Sequence, residues 1–141
     1  MQSVATDPPS AALRETPASV GAAIAGGGGA CAVAGGRMVG MVLWADKDGG
    51  LYFGRLGVDP DWRGRGIARA LVLAAEAEAR RRGHMRVHLS ARLVLLDNRR
   101  LFASLGYTEG ALGTHAGYAA PTQVAMEKCL TPTAWRRLLP N

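Results

Sequence analysis

The stretch Val58-Asp-Pro-Asp-Trp-Arg-Gly-Arg-Gly-Ile-Ala-Arg-Ala70 decides the fold. An apolar, aromatic run, Leu51 to Val58, leads into it, and an Ala/Leu/Glu/Arg helix pattern leads out of it to about Arg82. The segment reads as a strand, a turn, a glycine-rich corner and a helix start. At such a corner the backbone N–H groups of Gly64, Arg65, Gly66, Ile67 and Ala68 lack an intrahelical partner. The helix dipole adds partial positive charge there. Glycine lets an anion approach the backbone with no Cβ in the way. Arg63, Arg65 and Arg69 add full charges beside it. The corner is suited to a phosphate-bearing ligand.

A Walker A loop requires Gly-x-x-x-x-Gly-Lys-Ser/Thr, and the chain contains no such run. A dinucleotide fingerprint needs Gly or Ala where Arg69 stands. It also needs an acidic residue about twenty positions on, where Leu89 and Ser90 lie. The run Arg63-Gly64-Arg65-Gly66-Ile67-Ala68, preceded by Val58-x-Pro60, fits another pattern, Arg/Gln-x-x-Gly-x-Gly/Ala. It closely resembles the coenzyme A pyrophosphate loop of the GCN5-related N-acetyltransferase (GNAT) family.

The rest of the chain sets the context. With 141 residues it is long enough for one domain with a real core. Nearly half the residues are hydrophobic and a fifth are charged, a soluble globular composition. The net charge of +6 suits any polyanion. Nucleic acid is nonetheless disfavoured, because no aromatics alternate with the basic residues. Cys31 and Cys129 lie far apart and read as free, small buried hydrophobes. Met1 to Ser10 has neither a basic region nor an apolar run, and no stretch reaches the length of a membrane span. A reducing cytoplasm is the expected setting. The three histidines have no metal-ligand spacing with the cysteines, so no metal is expected.

In order, residues 1–11 read as loose and Pro17 to about Ala25 as a short helix with Thr16 as its cap. Ala30 to Ala34, Val39 to Ala45 and Leu51 to Val58 read as three antiparallel strands joined by glycine turns. The helix to Arg82 follows, with Arg69, Glu76 and Arg80 on a polar face, Glu76–Arg80 and Glu78–Arg82 as ion pairs, and Gly83 closing it. Arg86 to Ala91 is a strand, and His88 within it reads as structural. A helix capped by Asp97 or Asn98 ends at Gly106. Tyr107 to Gly110 starts a strand, Leu112 to Pro121 is a loop, and Thr122 to Leu130 is the last strand. The single domain spans 1–131, and 132–141 is a tail.

The second half adds to the resemblance. Asn98 to Tyr107 is similar to the family's Asn…Tyr…Gly-Phe segment, and Met126-Glu127-Lys128 to its last strand. The match covers about Gly26 to Leu130. It implies an α+β fold whose mixed β-sheet, flanked by helices, splays open beside the glycine loop. It implies acetyl-CoA as co-substrate, with Leu56, Gly57, Val58, Arg63, Gly64, Arg65, Gly66, Ile67, Ala68, Arg69, Asn98 and Phe102 around it. The implied reaction is transfer of the acetyl group to a primary amine, entering from the opposite side, by direct attack in a ternary complex.

Three departures qualify the resemblance. Phe102 stands where the family often has a tyrosine that protonates the thiolate, and a benzyl ring cannot donate. Gly54 and Arg55 stand where a glutamate base is frequent. The general acid and base are therefore unassigned, with His115, Tyr118 and Glu109 as candidates on the acceptor side. The front of the chain is also short for the family's usual first strand and helix. An edge strand left bare would invite a homodimer. The alternative function is a non-catalytic acyl-CoA-binding or regulatory module.

Overall fold

The structure is a computed structural model that describes residues 27–130. Within them the chain runs β1 (Gly29–Ala34), β2 (Arg37–Lys47), β3 (Gly50–Val58), a 3-10 turn (Pro60–Trp62), α1 (Ile67–Arg81), β4 (Arg86–Arg92), α2 (Leu96–Ser104), β5 (Thr108–Gly113) and β6 (Gln123–Cys129). The helix expected from Pro17 to Ala25 and the tail at 132–141 lie outside the described residues. The strands form one sheet in the order β1-β2-β3-β4-β6-β5. All neighbours are antiparallel except β3 and β4, which run parallel. The expected mixed α+β sheet is present.

The β3–β4 ladder is short. It pairs only Leu51 with Val87 and Tyr52 with His88, although β3 continues to Val58 and β4 to Arg92. Beyond Tyr52 the two strands part, and this is the splay. A bulge on β3 accompanies it. Met41 faces Gly57 and Leu43 faces Gly54, so Arg55 and Leu56 together oppose Val42, and Arg55 has φ 53°. A bulge bends its strand and increases the local twist, which re-aims the residues that follow.

Both helices pack on one face of the sheet. Cross-strand partners Leu89–Met126 and Ala91–Val124 join Leu71, Val72, Ala75 and Ala79 of α1 in one buried cluster. Phe53, Phe102 and Tyr107 meet edge-on at its centre, with ring centroids 5.9, 6.0 and 6.2 Å apart. Close approach of α1 to β2 explains Gly40: a Cβ there would lie 2.9 Å from Ile67 Cγ2 and 3.2 Å from Leu71 Cδ1. The helix closes as expected at Gly83. The His84 N–H reaches the Ala79 carbonyl at 2.8 Å and the Gly83 N–H that of Arg80 at 3.1 Å.

Four expectations are corrected. Glu76 belongs to the buried stripe of α1, not its polar face, and is 2 % exposed. The Tyr107 hydroxyl donates to its Oε2 at 2.9 Å, and Lys128 Nζ donates to Oε1 at 3.0 Å and Oε2 at 3.2 Å. The i,i+4 pair with Arg80 gives way because these buried partners compensate the carboxylate better than a solvated guanidinium. The Glu78–Arg82 pair does form, at 2.7 Å, and Arg81 joins it. Second, α2 starts after Leu95 with no side-chain cap, leaving Asp97 in the first turn and Asn98 buried. Third, β5 starts at Thr108 and extends through Leu112 to Gly113, because its own bulge keeps it paired with β6. Fourth, Cys31 and Cys129 are exposed. Cys31 alternates with Ala30, which packs on the core, and Cys129 follows the inward-reaching Lys128.

Phe53 is 1 % exposed at the junction of both helices and the sheet. Phe53→Ala is expected to lower the unfolding free energy by about 3–5 kcal/mol, read by urea denaturation. A loss under about 1 kcal/mol would show that the aromatic cluster is not the centre of the core.

Candidate functional site

The corner after β3 is anchored at its start. The Asp59 N–H donates to the Val39 carbonyl at 2.8 Å, its carboxylate accepts from the Asp61 N–H at 3.0 Å, and Arg37 pairs with the same carboxylate. Trp62 N–H then donates to the Asp59 carbonyl at 2.8 Å. Two left-handed glycines follow, Gly64 at φ 75° and Gly66 at φ 80°. A Cβ on either would meet nothing within 4 Å, so both face open space. A side-chain-bearing residue in that conformation costs about 1–2 kcal/mol.

The first helical bond of α1 runs from the Ala70 N–H to the Gly66 carbonyl at 3.0 Å. Among the described residues no acceptor meets the amides of Gly64, Arg65, Gly66, Ile67 or Ala68. They remain available, as the sequence implies.

These amides open onto a cleft of about 270 Å³. The corner and α1 line one side with Arg63, Gly64, Gly66, Ile67, Ala68 and Arg69. Asp97, Asn98 and Leu101 of α2 line the other, and Val58 and Trp62 complete the wall. Eight of the residues expected around a cofactor thus come together. Arg65 lies outside the lining, with its guanidinium stacked 4.5 Å from the Trp62 ring centroid. Leu56 is turned into the core, next to Gly57 on the same strand. Phe102 is 4 % exposed inside the aromatic cluster, away from the cleft. Its contribution there is to seat α2, which presents Asn98 one turn earlier.

Three lining residues escaped the sequence reading. Trp62 sits inside the motif as a variable position. Asp97 and Leu101 flank Asn98 on the same helical face, a signal that helix periodicity carries once the helix start is known.

The electrostatics of the cleft are unbalanced. Arg81, Arg82, Arg86 and Arg99 are each paired with a glutamate. Arg63, Arg65 and Arg69 have no carboxylate partner among the described residues. Among the described residues the buried Nε of Arg63 has no hydrogen-bond partner. The open glycines and the unpaired amides fit a diphosphate.

The acceptor-side candidates lie elsewhere. Glu109 is held by Arg99 through two bonds, at 2.8 and 2.9 Å, and those bonds keep its carboxyl below the usual carboxylate range. His115 and Tyr118 share the loop after β5, where the Tyr118 N–H donates to the His115 carbonyl at 3.1 Å. His115 Nδ1 is bonded to the Thr122 hydroxyl. Burial, then the charge of Arg92, pushes its imidazole below the usual value of 6.5. None of the three lines the cleft. His88 bonds the Lys47 carbonyl at 2.8 Å and rests edge-on against Tyr52, a structural role. Among the described residues no cluster could hold a metal ion, and no helix is long and apolar enough to cross a membrane.

Comparison with known proteins supplies the context. The model of the acetyltransferase (GNAT) family matches residues 4–107. A search of curated proteins finds no match. Among solved structures, a Bacillus anthracis protein in complex with acetyl coenzyme A has 12% identity and a TM-score of 0.65, over 71% of this chain and 60% of that one. A Bacillus subtilis acetyltransferase in complex with CoA has 16% identity and a TM-score of 0.67, over 82% and 85%. A ribosomal-protein-alanine N-acetyltransferase from Brucella melitensis has 22% identity and a TM-score of 0.61, over 71% and 67%. The chain therefore spans about three fifths of the first of these proteins and more of the other two. At these identities the likeness is one of fold, and the sequence match settles the family. With its splayed sheet, glycine corner and family match over residues 4–107, the chain belongs to the GNAT acetyltransferases.

Proposed function

We propose that the protein is an acetyl-CoA-dependent N-acetyltransferase that passes the acetyl group to a primary amine by direct attack in a ternary complex. One observation carries this reading: a corner of unpaired amides and unpaired arginines opens onto the parting of β3 and β4. The complexes of the Bacillus anthracis protein with acetyl coenzyme A and of the Bacillus subtilis enzyme with CoA support it. The amine-acetylating activity named for the Brucella melitensis protein supports the acceptor class. A cytoplasmic setting belongs to the same reading, since exposed Cys31 and Cys129 suit a reducing compartment.

In this reading Gly64, Gly66, Ile67 and Ala68 offer main-chain amides to the pyrophosphate, and Arg63 and Arg69 offset its charge. Asn98 offers an amide side chain from the facing wall. Bound acetyl-CoA supplies a thioester carbonyl for the neutral amine to attack. The Asp59 N–H is taken by β2, so the Val58 N–H, one residue back, points to the open side of β3. It is the donor for negative charge developing on the carbonyl oxygen. Alignment of the two substrates supplies most of the rate gain, since the cleft brings no buried acid–base pair.

The ammonium form of the acceptor must first lose a proton. His115 is the best suited by chemistry: burial, then the charge of Arg92, lowers its imidazole from the usual value and so favours the neutral form, and the Thr122 bond occupies only Nδ1. Because it does not line the cleft, the transfer runs through water. A non-catalytic acyl-CoA-binding module is the second reading. It is favoured by Phe102, which offers no hydroxyl and is sealed in the core.

Three outcomes are expected. Gly66→Glu, which forces a side chain and a like charge into the open corner, abolishes acetyl-CoA binding in calorimetry; unchanged affinity would reject the loop assignment. Thiol release from acetyl-CoA rises with at least one member of a primary-amine panel, whereas tight binding without turnover selects the non-catalytic module. His115 titrates by NMR with a midpoint below 6.5. With the folded value depressed, the unfolded chain binds the extra proton first, so this group's contribution to stability falls as pH drops through 6.5. A midpoint above 6.5 would remove His115 as a base poised neutral.

A further inference from the structure

Tyr52 closes the last rung of the β3–β4 ladder, opposite His88, and beyond it the two strands part. Its neighbours Leu51 and Phe53 are buried in the core beneath the helices, so the Tyr52 side chain is on the other face of the sheet. Three residues fix its ring. His88 meets it edge-on, with centroids 5.3 Å apart, and is itself held by the Lys47 carbonyl at 2.8 Å. Lys47 Nζ sits 4.7 Å from the ring centroid. Gly54 supplies the room: a Cβ there would lie 3.3 Å from Tyr52 Cε1 and 3.7 Å from its hydroxyl oxygen. The ring is therefore laid along β3 towards Val58, with its hydroxyl beside residue 54, past the point where the ladder ends. Among the described residues that hydroxyl has no hydrogen-bond partner, and it stays open to solvent.

The cleft is lined chiefly by the corner, α1 and α2, on the helix side of the sheet. On the functional reading above, on which this inference rests, the amine reaches the thioester from the face that the cofactor leaves free. Tyr52 holds a hydroxyl at the parting of the strands on that face. A phenol oxygen can accept a hydrogen bond, and an attacking amine has N–H groups to donate while its lone pair is aimed at the carbonyl carbon. We propose that the Tyr52 hydroxyl is a catalytic group that accepts one N–H of the acceptor amine and so holds it in line for attack. In that step the nitrogen lone pair forms the N–C bond, and the C–S pair leaves on sulfur. The nitrogen gives up one proton to water and the thiolate takes one back, so an amide and a thiol are released. Tyr52 gains and loses no proton; its contribution is alignment. The ring contacts with Lys47 and His88 keep the hydroxyl from swinging away before the amine arrives.

Steady-state kinetics on the full chain, with the most reactive member of the primary-amine panel, test this. Tyr52→Phe keeps the ring between Lys47 and His88 and removes only the hydroxyl. It should lower kcat/KM for the amine about tenfold, the scale of one hydrogen bond lost from the transition state. Acetyl-CoA affinity in calorimetry and the melting temperature should not change. Gly54→Ala should cause a loss of the same kind, because its Cβ crowds the ring at 3.3 Å. The double variant Tyr52→Phe/Gly54→Ala should be no slower than the slower single variant, since both changes remove one interaction. A ring that merely fills space would give additive losses instead, and that result overturns the proposal. So does a Tyr52→Phe rate within about twofold of the wild type, or a loss matched by weaker acetyl-CoA binding or a lower melting temperature. Each of these leaves the acetyltransferase reading in place. A wild type that binds acetyl-CoA and acetylates no amine of the panel overturns both.

Discussion

The parallel contact between β3 and β4 lasts only two residue pairs, and the site depends on its brevity. A longer ladder would satisfy the Val58 amide with a β4 carbonyl and close the space where a ligand lies. The bulge at Arg55 and Leu56 helps to end it, since a strand with an extra residue turns away from its neighbour's register. Because the two strands run parallel, both of their carboxyl ends lie at the wide mouth. The corner after β3 and the start of α2 after β4 therefore arrive at the same place. The cleft is a consequence of strand polarity before it is a consequence of any side chain.

The division of labour within the cleft follows. Binding donors come mainly from the backbone, where side-chain identity matters only through what it permits: open space at Gly64 and Gly66, and a left-handed turn at each. Charge comes from guanidinium groups that form no ion pair among the described residues, since Asp97 on the facing wall pairs with Arg100. The protein's other arginines show what competition looks like. Arg99 is tied down by Glu109, and Arg81 and Arg82 by Glu78, whose carboxyl those bonds pull down to about 2. Arginines spent in this way hold the fold, whereas Arg63, Arg65 and Arg69 cluster without an ion pair at the corner.

That contrast also explains what could be read from the chain alone. The corner was legible because its signals are local. Two glycines, a preceding strand and a following helix occupy consecutive residues, and each restricts the others. The strand order near β3 was legible for the same reason, through short glycine turns. Glu76 was not legible. On a helical wheel it sits next to either face, and its partners lie 31 and 52 residues away. The start of α2 was misplaced because Asp97 and Asn98 are good caps by composition, yet Asn98 is drawn into the wall of the cleft. The cysteines were misplaced because alternation along β1 and β6, not residue type, decides which side they take.

The carboxylate of Glu76 has one more consequence, for how the site depends on the rest of the sheet. It lies two turns or more into α1, the helix whose first turn forms the phosphate corner. Sealing it against the sheet without compensation costs several kcal/mol. Its compensating ammonium arrives on β6, the last strand of the described sheet. Without residue 128 the carboxylate would keep only the Tyr107 hydroxyl as a partner. The helix that presents the phosphate corner is in this way tied to the far end of the sheet.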